Sequence, residues 1–72
     1  MLLSKKQQIG NVRLIRRKEV QDKTGLGASS IYAMMAQGKF PKAVNISKRR
    51  VAWIESDIDF WIADVLHIIS KQ

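Results

Sequence analysis

Cysteine is absent from these 72 residues, and histidine occurs once, at His67. Disulfides, thiolate metal sites and histidine-rich metal sites are therefore excluded as supports for the core. Acid is scarce, with 6 Asp/Glu against 13 Lys/Arg and a formal net charge of +7. Long apolar runs are missing too. Met1-Leu2-Leu3 gives way at once to Ser4-Lys5-Lys6-Gln7-Gln8, so no stretch of signal-peptide length is present. The most apolar segment, Phe60 to Ile69, is interrupted by Asp64 and His67. At about ten residues it is half of what a transmembrane helix needs. These absences predict a cytoplasmic chain with no membrane partner. A chain this short buries only about 60% of its unfolded surface, so stability rests on a small core and on any partner chain.

Groups for catalysis are lacking as well. His67 has no nucleophile near it in sequence. Asp57 and Asp59 resemble a carboxylate pair, but the start of a helix accounts for both without chemistry. Gly25-Leu26-Gly27 has no lysine after it and is not a phosphate-cradling loop. The expectation is a binding protein, neither an enzyme nor a carrier of a cofactor or metal.

What the chain does have is positive charge, unevenly placed. Residues 1–53 hold 12 Lys/Arg and 2 Asp/Glu, whereas residues 54–72 hold 1 and 4. A basic body with an acidic tail predicts a polyanionic partner on the basic side, and double-stranded DNA is the first candidate.

Residues 1–12 show no clear period and are expected to form a flexible arm, or a short extended segment from Ile9 to Leu14. Residues 13–72 are expected to form one domain. A first helix is predicted from Arg17 to Thr24, with Val20 inward and Leu14 and Ile15 entering the core just before it. Lys18, Glu19, Gln21, Asp22 and Lys23 then face water. Gly25 suits the left-handed position that ends a helix. A second helix is predicted from Ala28 to Gln37, with Gly27 at its N-cap and Ile31, Met34 and Met35 on one buried face. The gap between the two helices, about three residues, is that of a helix-turn-helix.

The single proline, Pro41, forces extended backbone beyond Gly38. Val44-Asn45-Ile46 and Val51-Ala52-Trp53 read as strands flanking Ser47-Lys48-Arg49-Arg50, a hairpin with a basic tip. A last helix is predicted from Ser56, capped by that serine, with Ile58, Trp61, Ile62, Val65 and Ile69 on one face. Phe60, Leu66 and Ile68 lie off that face and leave the helix apolar beyond the usual stripe. The fold class predicted is mainly α with a small β-hairpin: a winged helix-turn-helix of three helices plus a wing, with an extended C-terminal helix.

On that fold the N-terminal residues of the second helix are placed to enter the major groove. They are Ala28, Ser29 and Ser30, with Tyr32 one turn along. Serine hydroxyls bond bases or phosphates alike and carry little sequence information. Lys48, Arg49 and Arg50 at the wing, with Arg16, Arg17 and Lys18 at the first helix, are candidate phosphate contacts, and a wing arginine suits a narrow minor groove.

Four segments together resemble a known family. They are Thr24-Gly25-Leu26-x-x-Ser29-Ser30-Ile31-Tyr32, Gly38-Lys39-Phe40-Pro41-Lys42-Ala43-Val44, Arg49-x-Val51-Ala52-Trp53 and Asp57-x-x-x-Trp61. They look like the AlpA family of phage and prophage regulators, within the wider group of excisionase-like and MerR-like winged-helix proteins. The resemblance runs from Leu14 to about Ile62. It implies a transcriptional regulator or recombination directionality factor of a mobile element. It also implies a second helix in the major groove and a hairpin on the backbone or minor groove. By matching position, Ser29, Ser30 and Tyr32 belong to the recognition helix, Arg49 to the wing, and Trp53 and Trp61 to the core, with Pro41 fixing the approach to the hairpin.

Two departures stand out. The family usually has serine and then a basic residue where this chain has Gly27 and Ala28, and often a basic residue where it has Ala33. No Lys or Arg occurs from Ala28 to Gln37, so no arginine there can grip a guanine. Readout then falls to serine, glutamine and DNA shape, or the helix serves a protein partner. That alternative is an interaction module of the same fold, binding a recombinase or transcription machinery. The apolar tail from Val65 to Ile69 is a candidate for self-association.

Overall fold

The computed structural model describes residues 12–70. The arm expected over residues 1–12 and the extended segment beginning at Ile9 therefore lie outside the described residues, except for their last positions.

Elements follow one another as β1 (Leu14–Ile15), α1 (Arg17–Thr24), α2 (Ala28–Ala36), β2 (Val44–Ser47), β3 (Arg50–Ile54) and α3 (Glu55–Ser70). The three strands form one antiparallel sheet in the order β1-β3-β2. Three helices with a β2–β3 wing make a winged helix-turn-helix, as the residue pattern predicted.

Glycine makes the turn between α1 and α2. Gly25 has φ 78°, a left-handed conformation costly for any residue with a Cβ. Its N–H donates to the Gln21 carbonyl at 2.7 Å and closes α1. Thr24 Oγ1 donates to the Val20 carbonyl and accepts from the Leu26 N–H, which holds the turn from the other side. Gly27 then occupies the N-cap of α2 in extended backbone, with no side-chain cap. Gln37, predicted helical, is instead the C-cap of α2.

The core gathers one residue from each element except β2, and Phe40 from the loop after α2: Ile15, Val20, Ile31, Phe40, Trp53 and Ile58. Leu26, Met34, Met35, Trp61 and Ile62 pack against it while half-buried. Full burial of such side chains stabilises by roughly 1.5–3 kcal/mol each. Trp53 is wholly buried with its indole N–H unpaired among the described residues. That costs about 1–3 kcal/mol, which the large ring offsets.

The structure overturns three local expectations. Leu14 does not enter the core; successive strand residues point to opposite faces, so Ile15 is buried and Leu14 is 47% exposed. β2 forms where the alternation placed a strand, but all four of its residues are exposed. It is an edge strand, as β1 is, and a bulge between Asn45 and Ser47 leaves Ile46 out of register. Arg50 is not part of the hairpin tip: it pairs with Ser47 as the first residue of β3, so Lys48 and Arg49 alone make the turn. The last helix begins at Glu55, without a linker after β3, which puts Ser56 inside its first turn rather than at its cap.

Candidate nucleic-acid interface

Antiparallel pairing sets Ile15 against Trp53 and so brings the start of α1 beside β3. Arg16 is the N-cap of α1, and Arg17 and Lys18 open its first turn. The turn through Gly25 and Leu26 sends α2 back so that Ile31 is buried and Tyr32 is exposed. The wing adds Arg49 and Val51. These residues (Arg16, Arg17, Lys18, Tyr32, Arg49 and Val51) line one depression of about 390 Å³. Its lining holds four cations and no carboxylate. A concavity of one sign with low-dielectric walls focuses its field toward a polyanion.

Little neutralises those cations. Arg17 Nε donates to Gln21 Oε1 at 3.1 Å, which steadies the guanidinium without cancelling its charge. Lys18 reaches Asp22 at 3.4 Å, but both side chains are mostly in water, where such a pair is worth little.

Two other basic residues are spoken for. Arg13 pairs with Glu19 at 3.0 Å and with Glu55 at 2.9 Å. Lys23 pairs with Glu55 at 2.9 Å and Asp59 at 2.7 Å. The Glu55 N–H also donates to the Arg13 carbonyl at 2.8 Å, so backbone pairing delivers the carboxylate to the guanidinium. Hydrogen bonds to Glu19 and then Glu55 raise the Arg13 guanidinium above its ordinary value. Those to Asp59 and then Glu55 raise the Lys23 ammonium. Donation from Lys23 and then Arg13 lowers the Glu55 carboxyl. Lys23 was expected to face water, and Glu55 carried no expected role. No local signal marks either, because the Lys23–Glu55 and Arg13–Glu55 pairs span 32 and 42 residues of sequence.

The exposed stripe of α2 is uncharged. Ser29, Ser30, Tyr32, Ala33 and Ala36 are in solvent, while Ala28 is half-buried at the helix start. The structure thus gathers Arg16, Arg17, Lys18, Tyr32 and Arg49 about one hollow. Ala28, Ser29, Ser30, Lys48 and Arg50 lie outside its lining. Among the described residues there is no group of His, Asp and Glu that could hold a metal ion, and no helix long and apolar enough to cross a membrane.

A helix-turn-helix, a wing and a hollow of cations between them define a winged helix-turn-helix protein with a basic face. The family model for the prophage CP4-57 regulatory protein (AlpA) matches residues 13–66. The chain belongs to the AlpA family of prophage regulatory proteins. It is 37% identical over 51 residues to an uncharacterised protein, ORF88, of Enterobacteria phage P4, across 71% of this chain and 58% of that protein. It is 31% identical over 64 residues to the DNA-binding transcriptional activator AlpA of Escherichia coli (strain K12), across 81% of this chain and 91% of that protein. The chain therefore spans under two thirds of the phage protein and most of the bacterial one.

Proposed function

We propose that this protein is a sequence-specific DNA-binding regulator of a prophage or integrative element, acting on transcription or as an excisionase-type directionality factor. The single observation that carries this reading is the hollow around Tyr32, where cations from α1 and from the wing converge without a carboxylate. The name of the E. coli relative supports it. α2 lies in the major groove, and Ser29 and Ser30 reach base edges or phosphates. Arg16, Arg17, Lys18 and Arg49 hold the backbone, while Lys48 and Arg50 add charge along the wing. With no basic residue on α2, phosphate contacts supply most of the affinity, and readout rests on serine hydroxyls and DNA shape.

Fluorescence anisotropy tests this with duplex DNA from upstream of the protein's own gene and with a scrambled duplex, each across a salt series. Tighter binding to the native duplex that persists at physiological salt is expected. Equal binding to both that vanishes with salt would reduce the interface to electrostatics. An interaction module of the same fold is the second reading, favoured by the exposure of Leu66 and Ile68 on α3.

A further inference from the structure

A second depression, of about 450 Å³, shares no residue with the basic hollow. It lies where the loop after α2 meets α3, and its lining includes Phe40, Pro41, Asp57, Phe60, Trp61 and Asp64. The floor is held in place. Phe40 and Trp61 meet edge to face with ring centroids 4.9 Å apart, and Trp61 Nε1 donates to the Lys39 carbonyl at 3.0 Å. The wall is Phe60, 69% exposed, the most exposed of the large apolar side chains described. Asp57 and Asp64 are two turns apart on α3 and bracket Phe60 and Trp61 along the helix. Neither carboxylate enters an ion pair among the described residues, whereas Glu55 and Asp59 both do. Lys39 is the one cation on the lining.

Aromatic faces with carboxylates beside them attract a cation twice, through the ring quadrupole and through charge. Arginine fits best, because its planar guanidinium stacks on a ring while donating to carboxylates on either side. The same carboxylates repel DNA. Arg13 and Lys23 are held in ion pairs, and Arg16, Arg17, Lys18 and Arg49 line the other hollow. No arginine of this chain is on the lining of the second depression, so the matching guanidinium is one supplied by another protein.

We infer that the groove between the loop after α2 and α3 docks an arginine-bearing basic segment of a partner protein, with a guanidinium over Phe60 and Trp61 between Asp57 and Asp64. The acidic stripe is the part of a basic chain that DNA leaves uncovered, so the two surfaces serve two partners at once.

The test is an NMR titration of the 15N-labelled protein with a short capped peptide of alternating Arg and Gly, and with its Glu-Gly counterpart. The Trp61 indole resonance is expected to move saturably with the Arg peptide alone, while that of buried Trp53 stays still. Asp57→Asn with Asp64→Asn should weaken the Arg peptide by about tenfold. Phe60→Ser, at an exposed position that leaves the fold intact, should weaken it with both carboxylates present. Neither variant should change the salt slope of DNA binding. A motionless Trp61, or equal binding by the wild-type and Asn variants, would overturn the inference. Dimerisation abolished by Phe60→Ser would overturn it too, by giving the groove to a second copy of this chain.

Discussion

The Lys23 ammonium and the Glu55 carboxylate lie 2.9 Å apart, although 32 residues separate them. That interval contains all of α2 and the wing. The pair therefore ties the end of α1 to the start of α3 and closes the chain around α2 and the wing. Arg13 meets the same Glu55 oxygen at 2.9 Å, adding the approach to β1 to the same point.

This junction makes stability depend on acid pH. The folded Glu55 carboxyl titrates below its ordinary value of 4.5. A carboxyl lowered by folding contributes stability that is complete above that ordinary value and is lost as pH falls through the folded one. Glu55→Gln should therefore melt below the wild type at neutral pH, with the gap closing as pH drops from 4.5 downward. High salt should narrow the gap at neutral pH, because these groups are solvent-accessible. Melting curves across pH check this; a gap that stayed constant into acid would remove Glu55 from the junction.

Adjacent residues in β1 should differ sharply. Ile15 is 1% exposed and Leu14 is 47% exposed, on opposite faces of one strand. Ile15→Ala should cost about 2–5 kcal/mol, enough to unfold much of so small a domain. Leu14→Ala should cost under about 1 kcal/mol. Urea titration distinguishes them, and equal losses would mean that β1 is in another register.

Much of this fold was legible from spacing. The bounds of α1, the glycine turn, the buried Ile31 and the wing all follow from periods and from Gly and Pro, which act on neighbours in sequence. What was not legible depends on pairing at a distance. The third strand exists because Leu14 and Ile15 pair with Ile54 and Trp53 of β3, beyond both intervening helices. Arg50 belongs to the strand because it pairs across the hairpin with Ser47, and the bulge on β2 decides that its partner is Ser47 rather than Ile46. At the candidate interface, residue type identified the cations, but only the fold separates Arg49, on the lining of the hollow, from Arg13 and Lys23, held by carboxylates.

Two glycines flank Leu26 and should respond in opposite directions to substitution. A Cβ at either would meet nothing within 4 Å, so space decides neither. At Gly25 the φ of 78° makes Ala costly by about 1–2 kcal/mol. At Gly27 the backbone is already extended and no side chain caps α2, so Gly27→Ser should stabilise by a few tenths of a kcal/mol. Thermal melts of the two variants provide the check. A stabilised Gly25→Ala would contradict the left-handed turn.

Engaged and available cations should respond differently to removal. Arg13 and Arg49 carry the same charge, and a rule based on composition treats them alike. Arg13 is held by Glu19 and Glu55, so removing it frees two carboxylates and releases no phosphate. Arg49 lines the hollow with Arg16 and Arg17 and has only solvent to give up. Removing one phosphate-binding cation should flatten the logarithmic salt dependence of DNA affinity by about 0.9. Arg17→Ala with Arg49→Ala should therefore flatten it by about 2 on native and scrambled duplexes alike. Arg13→Ala should lower the melting temperature and leave the slope unchanged. If Arg13→Ala flattened the slope while the double variant did not, the DNA would lie along β1 and α3, and the hollow around Tyr32 would have to be given up as the phosphate site.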